Sequence, residues 1–227
     1  MGELFIQKPN GETTTFQIDG TVIKEKIKSN LEIVAAAICI VSAIAGVSHK
    51  RLLDGTLEER DWIRLAKARE HLDDADLIID DTPDLTLPGM LASARRHKPH
   101  LLIVDQLQLM RMPPGRDRQE GVSEITRTTK NASKTLGIPI ILVSKMNRGP
   151  EQRTDKKPVM SDLRESGNIE SDADVIILLH REDQYDQETP RVGEADLIVA
   201  KQRRGAQGTV VLANQLHYQR FVSLAGE

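Results

Sequence analysis

A single cysteine, Cys39, in 227 residues excludes an intramolecular disulfide framework and suits a reducing cytoplasm. As a small apolar side chain in an Ala- and Ile-rich run, it reads as a packing residue rather than a reactive thiol. Aromatic residues make up only 3% of the chain, so a core must be built from Leu, Ile, Val and Ala. The longest uncharged apolar run, 33–47, has about 15 residues. A membrane span needs roughly 20. The run also starts too late and lacks the flanks of a signal peptide, so no membrane partner is expected. The net charge of −3 excludes a polycation; nucleic-acid contact would have to be local, through a patch or an oligomeric ring. Internal repeats and low-complexity segments are also missing.

What is present from residue 31 onward is regular. The patterning predicts helices over 31–45, 56–70, 86–97 and 122–136. "TLEE" at 56–59 reads as a capping box, and Gly137 as a helix stop. Strands are expected over 75–79, 101–104 ending in Asp105, 139–143 ending in Ser144, 173–179, 195–200 and 209–212, with one more at 218–222. Strands alternating with helices imply crossover units: an α/β fold with a mainly parallel sheet flanked by helices, followed by C-terminal strands or a hairpin. "LLIV" and "IPIILV" are apolar on both faces, as parallel sheets require. Residues 1–30 stand apart as an atypical arm, with "NGETTTFQIDG" reading as turn, β-branched strand and turn. Two long polar loops, 111–121 and 147–160, interrupt the pattern.

In open α/β sheets, ligands bind beyond the carboxyl ends of the strands. Asp105 sits at such an end, where an acid can hold Mg²⁺ beside a nucleotide or simply turn the loop. Ser144 and Lys145 end the next apolar strand and can touch a phosphate or be the first loop residues. "KQRRG", 201–205, is either a phosphate-stabilising cluster, in its own subunit or a neighbour's, or a solvated basic turn. One part of a phosphate-handling sheet is missing: a P-loop reads G-x-x-x-x-G-K-[ST], and no Gly-Lys-Ser or Gly-Lys-Thr occurs in the chain.

The polar stretch "SDLRESGNIESDAD" leads directly into the apolar "VIILLH". With "LLIVDQLQLM", "IPIILVSKMNRGPEQRTDKKPVM" and "GEADLIVAKQRRGAQGTVVL", it resembles the C-terminal RecA-like motor domain of DnaB-type replicative DNA helicases, in actinobacterial and phage wording. The resemblance runs over roughly residues 31–224. It implies an ATP- and Mg²⁺-dependent motor that moves 5′ to 3′ on single-stranded DNA inside a hexameric ring. By position, Asp105 falls on the Walker B aspartate, acting on Mg²⁺ through water. Lys201 and Arg203 fall on the basic pair that reaches a neighbouring subunit's nucleotide, and Ser144 and Lys145 lie at the nucleotide. Arg164, Glu165, Gly167 and Asn168 fall on the loop that tracks DNA, which implies a strand-to-strand loop in a central channel.

The departures from the family pattern are specific. The Walker A loop is missing. Asn30 stands near the expected catalytic glutamate, Lys145 replaces the sensor glutamine, Gln106 replaces a tyrosine, and Gly121 stands where an acid follows the "RQ" pair. The primase-binding N-terminal collar is expected to be absent. Two readings follow. One is the motor domain itself, as a homo-oligomer. The other is a catalytically inactive module that binds DNA or co-assembles with a full-length helicase. A recombinase-like ATPase is a third, disfavoured by "DLRESG".

Overall fold

The computed structural model describes residues 3–7, 13–17, 31–73, 75, 77–163 and 166–224. The expectations for Arg164 and Glu165, and for the stretch 18–30, fall outside these. Strands β1 (Glu3–Gln7) and β2 (Thr13–Gln17) form an antiparallel hairpin. Helices α1 (Leu31–Ala45), α2 (His49–Asp54), α3 (Glu59–Asp73) and α4 (Leu87–His97) follow. Next come β3 (Leu102–Asp105), α5 (Arg118–Leu136), β4 (Ile140–Val143), α6 (Gly149–Gln152) and α7 (Ser166–Asp172). The chain ends with β5 (Val175–His180), β6 (Glu194–Gln202), β7 (Gly208–Gln215) and β8 (Arg220–Ser223). β3 and β4 pair in parallel, and β5-β6-β7-β8 form a four-stranded sheet in that order. The α/β class, with a parallel sheet, flanking helices and C-terminal strands, is therefore as expected. Among the described strands, parallel pairing is confined to β3 and β4.

Contacts divide the chain into two compact units, 1–82 with 214–222 and 83–213 with 223–227. In the first, Ile38 and Val41 of α1, Val47, Leu52 of α2 and Leu65 of α3 form a core. The carbonyl end of α1 is met by cations. Arg64 donates to the Gly46 carbonyl at 3.1 Å and Arg220 to that of Ala43 at 3.4 Å, which suits the negative pole of the helix dipole. Helix α3 begins at Glu59, not at Thr56. The buried Asp61 reaches back to accept the Glu58 N–H at 3.1 Å and also holds Arg51 at 2.9 Å, so a carboxylate two residues beyond "TLEE" sets the start. The strand expected over 75–79 is reduced to an isolated bridge residue at Ile78.

In the second unit, Thr86 caps α4 by accepting the Gly89 N–H, as its position before the periodic run predicts. Helix α5 starts four residues earlier than 122. Asp117 accepts the Glu120 N–H at 2.8 Å and caps the first turn, and Gly121 lies against Met112, where an added Cβ would meet Sδ at 2.8 Å. Gly137 ends the helix at φ +68. Leu87, Met90, Val104, Leu107, Met110, Val122 and Ile125 pack α4, β3 and α5 together. Strand β5 alternates, exposing Val175, Ile177 and Leu179 while burying Ile176, Leu178 and His180. Ile176 and Leu178 meet Leu163, Met160 and Ile169. The two polar loops are also partly helical, as the start of α5 and as α6. Residues 166–172 are helix α7 rather than open loop, because Ile169 packs against both neighbouring apolar clusters.

At the far end of β5, His180 faces Asp196 across the sheet and is 3% exposed. Arg191 grips Asp196 with both terminal nitrogens, at 3.0 and 2.5 Å, and holds that carboxyl below the usual carboxylate range. Burial lowers the proton affinity of the His180 imidazole, against the opposing pull of Asp196. A group that binds its proton less tightly when folded contributes stability above its unfolded pKa, about 6.5 for histidine, and loses it as pH falls. Urea midpoints should therefore drop between about pH 7 and pH 5, and His180→Gln should flatten that slope; an unchanged slope contradicts the assignment. Leu107→Ala removes a side chain that is 0% exposed and should lower the unfolding free energy by about 2–5 kcal/mol, read from denaturant titration.

Candidate functional site

The parallel register pairs Asp105 with Val143, so the ends of β3 and β4 lie side by side. Asp105 is exposed, and its side chain makes no hydrogen bond or ion pair among the described residues. Ser144 and Lys145 leave the adjacent strand at the same level. Gln108, in the single 3-10 turn after β3, joins the two strand ends. Its side-chain N–H donates to Ser144 Oγ at 2.8 Å, and its Oε1 accepts the Lys145 N–H at 3.1 Å. Sequence reasoning passed over Gln108. Its signal was a second amide inside the otherwise apolar "QLQLM", which reads as core unless the amide has a partner.

This edge suits a hydrated magnesium ion. Mg²⁺ keeps several waters and takes one or two carboxylates plus substrate phosphates rather than an all-protein cage. A lone, unpaired Asp105 fits that mode. Among the described residues, no group of three or more His, Cys, Asp or Glu could enclose a metal ion.

Lys201 and Arg203 are not brought to this edge. Lys201 Nζ donates to the Glu170 and Ser171 carbonyls at the end of α7. The Arg203 N–H donates to the Asp174 carbonyl at 2.9 Å, and its side chain lies 3.6 Å from the Asp174 carboxylate. Asp174 is also bound by Lys130.

Of the residues expected at the DNA loop, Gly167 and Asn168 are described. Both are exposed on α7, and Asn168 donates its amide to Ser123 Oγ on α5. Thr126 of α5 donates to Asp172 at 2.7 Å, which ties the other end of α7 down.

A second constellation that the sequence did not reveal lies between these two places along the chain. Asp162 is 2% exposed. It accepts from Arg153 Nη1 at 2.6 Å and Nη2 at 2.7 Å, and from the Val159 N–H at 2.8 Å. The Arg153 guanidinium holds this carboxyl below its ordinary range.

An acid at one strand tip, with a hydroxyl and an ammonium at the next and an α/β core behind them, is compatible with a RecA-like helicase domain. Structural likeness agrees. The chain superposes on a solved structure described as an ATPase domain with a TM-score of 0.79 and 29% identity, covering 87% of this chain and 72% of that one. It also superposes on a DnaB-like replicative helicase solved for its interactions with primase, with a TM-score of 0.78 and 31% identity, covering 82% of this chain and 47% of that one. In sequence it is 48% identical over 194 residues to the replicative DNA helicase DnaB of Leifsonia xyli, covering 83% of this chain and 42% of that protein. It is 47% identical over 191 residues to that of Mycobacterium leprae, covering 82% and 32%. The DnaB-like helicase C-terminal domain family model matches residues 22–223, and the chain belongs to that family. It spans less than half the length of these curated relatives.

If Gln108 fixes the strand ends, Gln108→Ala should speed amide exchange at Lys145 while the α5 amides stay protected. Equal protection at Lys145 in both forms would count against that role.

Proposed function

We propose that this chain is a nucleotide-dependent motor unit that moves along single-stranded DNA within a ring of subunits. The observation that carries the reading is the strand-end edge, where an unpaired Asp105 stands beside Ser144 and Lys145. Asp105 holds Mg²⁺ through water, and the ion, when bound, neutralises charge on nucleotide phosphate oxygens. Ser144 and Lys145 contact phosphate, the Lys supplying a positive charge at the position where the family pattern has glutamine. Lys201 and Arg203, held at Glu170, Ser171 and Asp174 within the chain, serve the nucleotide of a neighbouring subunit. Arg164, Glu165, Gly167 and Asn168 meet the DNA backbone, and contacts to phosphate carry no base preference. The name of one structural neighbour adds primase to the partners worth testing.

The absent G-K-[ST] motif favours a second reading. Without a Walker A lysine and its backbone cradle, the chain would bind DNA and join an active ring without hydrolysing ATP itself. ATP hydrolysis with and without a poly-dT oligonucleotide separates the two. The motor reading expects DNA-stimulated turnover that Asp105→Asn lowers on the order of 10²-fold or more. The second expects no turnover in either form but DNA binding in both.

Under either reading, Arg164→Ala should weaken binding to single strands of every sequence and reduce the salt slope of log K by about 1. Unchanged affinity, read by fluorescence anisotropy, would remove Arg164 from the DNA surface.

A further inference from the structure

Sixteen residues, 147 to 162, separate the tip of β4 from the segment leading into α7. A loop of that length would ordinarily let its two ends move independently. Here the ends are fastened together. Met146, next to Lys145, forms an isolated antiparallel bridge with Leu163. The Asn147 N–H donates to the Asp162 carbonyl at 2.7 Å, and Asn147 Oδ1 accepts the Gly149 N–H at 2.7 Å. Gly149 packs so closely that an added Cβ would lie 2.5 Å from Asp162 Oδ1. Arg153 then closes the loop from the far side, with both terminal nitrogens on the Asp162 carboxylate and Nη1 also on the Lys157 carbonyl at 3.0 Å. Leu163 is buried among Met146, Met160 and Ile169, and Ile169 directly follows Asn168.

We infer that the Arg153–Asp162 pair is a positioning element, coupling phosphate contact at Ser144–Lys145 to the DNA-facing end of α7. The inference rests on the reading under "Proposed function" that these two places meet nucleotide and DNA. A two-pronged guanidinium–carboxylate pair is directional: both groups must keep one orientation for both bonds to persist. Asp162 carries the backbone of Leu163 with it. Through the Asn147 and Met146 contacts, it also holds the chain leaving Lys145. A displacement of Lys145 by bound phosphate is therefore passed to Leu163 and Ile169 rather than absorbed in a slack loop. Coupling of this kind is a free energy shared between two ligands, so it appears as a change in the affinity for one when the other is bound. A clasp with only a structural role would lower thermal stability and leave that ratio alone.

The test is an anisotropy titration of fluorescein-labelled poly-dT, with and without a non-hydrolysable ATP analogue and Mg²⁺. It is run on the wild type, Asp162→Asn and Arg153→Lys. In the wild type the analogue should tighten DNA binding by about fivefold or more. In the two variants the ratio should fall toward one while analogue-free affinity stays within about twofold. An equal ratio in folded variants overturns the coupling, and so does a wild type that binds DNA with an affinity indifferent to the analogue. Absence of DNA binding in every arm overturns the motor reading itself and this inference with it. A measurement that needs no variant runs alongside: analogue and Mg²⁺ should slow amide exchange over residues 163–172 in the wild type, and unaltered exchange there overturns the coupling.

Discussion

The parallel pairing of Leu102–Asp105 with Ile140–Val143 is the constraint on which the candidate site depends. A strand register has period two, so a slip of one residue would turn Val104 out of the core and carry Asp105 away from Val143. The backbone bond from the Leu102 N–H to the Pro139 carbonyl sets the lower end of that register. Val104, packed on α4 and α5, fixes which face looks inward. With both settled, the acid of one crossover unit and the Ser-Lys pair of the next arrive at one edge. Gln108 then joins the two chains after their ladder has ended. A side-chain amide can do this because it both donates and accepts; a leucine at the same place would fill the space and leave the ends unconnected.

Beyond the edge, the second unit relies on buried acids held by arginines. Asp162 and Asp196 are each about 2% exposed, and each is gripped by two nitrogens of one guanidinium. Such pairs are weak evidence of net stability, since desolvation offsets much of the attraction. What they provide is direction. Around Asp162 this matters because the loop has little apolar content of its own. "NRGPEQRTDKKP" offers only two buried side chains, Pro150 and Pro158, to a core. Ordering it by burial alone was not open to this sequence, so charge-assisted hydrogen bonds do the work.

The elements readable from the sequence were those whose cause is local. "LIVD" and "IILV" are apolar on both faces, Thr86 precedes a periodic run, and Gly137 follows one. Each of these signals lies within a few residues of what it determines. The misses have distant causes. Asp61 moved the start of α3 because it answers both Glu58 and Arg51. The first turn of α5 packs Gly121 against Met112, nine residues earlier in the chain. Residues 166–172 read as polar loop because their one anchoring apolar residue, Ile169, shows no period until its partners are known. The same division holds for the site. Asp105, Ser144 and Lys145 were legible as strand ends. Gln108 and the Arg153–Asp162 pair were not, because each acts on a residue far along the chain or across a strand gap. The roles of Lys201 and Arg203 came from resemblance, since a basic turn and a finger look alike in one sequence.

Energetics distinguish the arginines that are committed from those that are available. Arg153 and Arg191 each close two bonds on a buried carboxylate, and withdrawing either would strand that charge away from water. Neither can be lent to a ligand without disrupting its surroundings. Arg203 is different. It is 66% exposed, and its nearest carboxylate, on the half-exposed Asp174, lies 3.6 Å away and is already bound by Lys130. Exposed pairs of this kind are typically worth under about 1 kcal/mol. A phosphate presented by another subunit would outcompete that contact easily, and Asp174 would keep Lys130 when Arg203 left. The strand end also holds the Arg203 backbone through its N–H bond to Asp174, so only the side chain would need to reorient. A fixed base, a weakly held guanidinium and a carboxylate that keeps Lys130 on its departure are what a residue serving a neighbour's nucleotide requires. These features fit the role in trans proposed for Arg203.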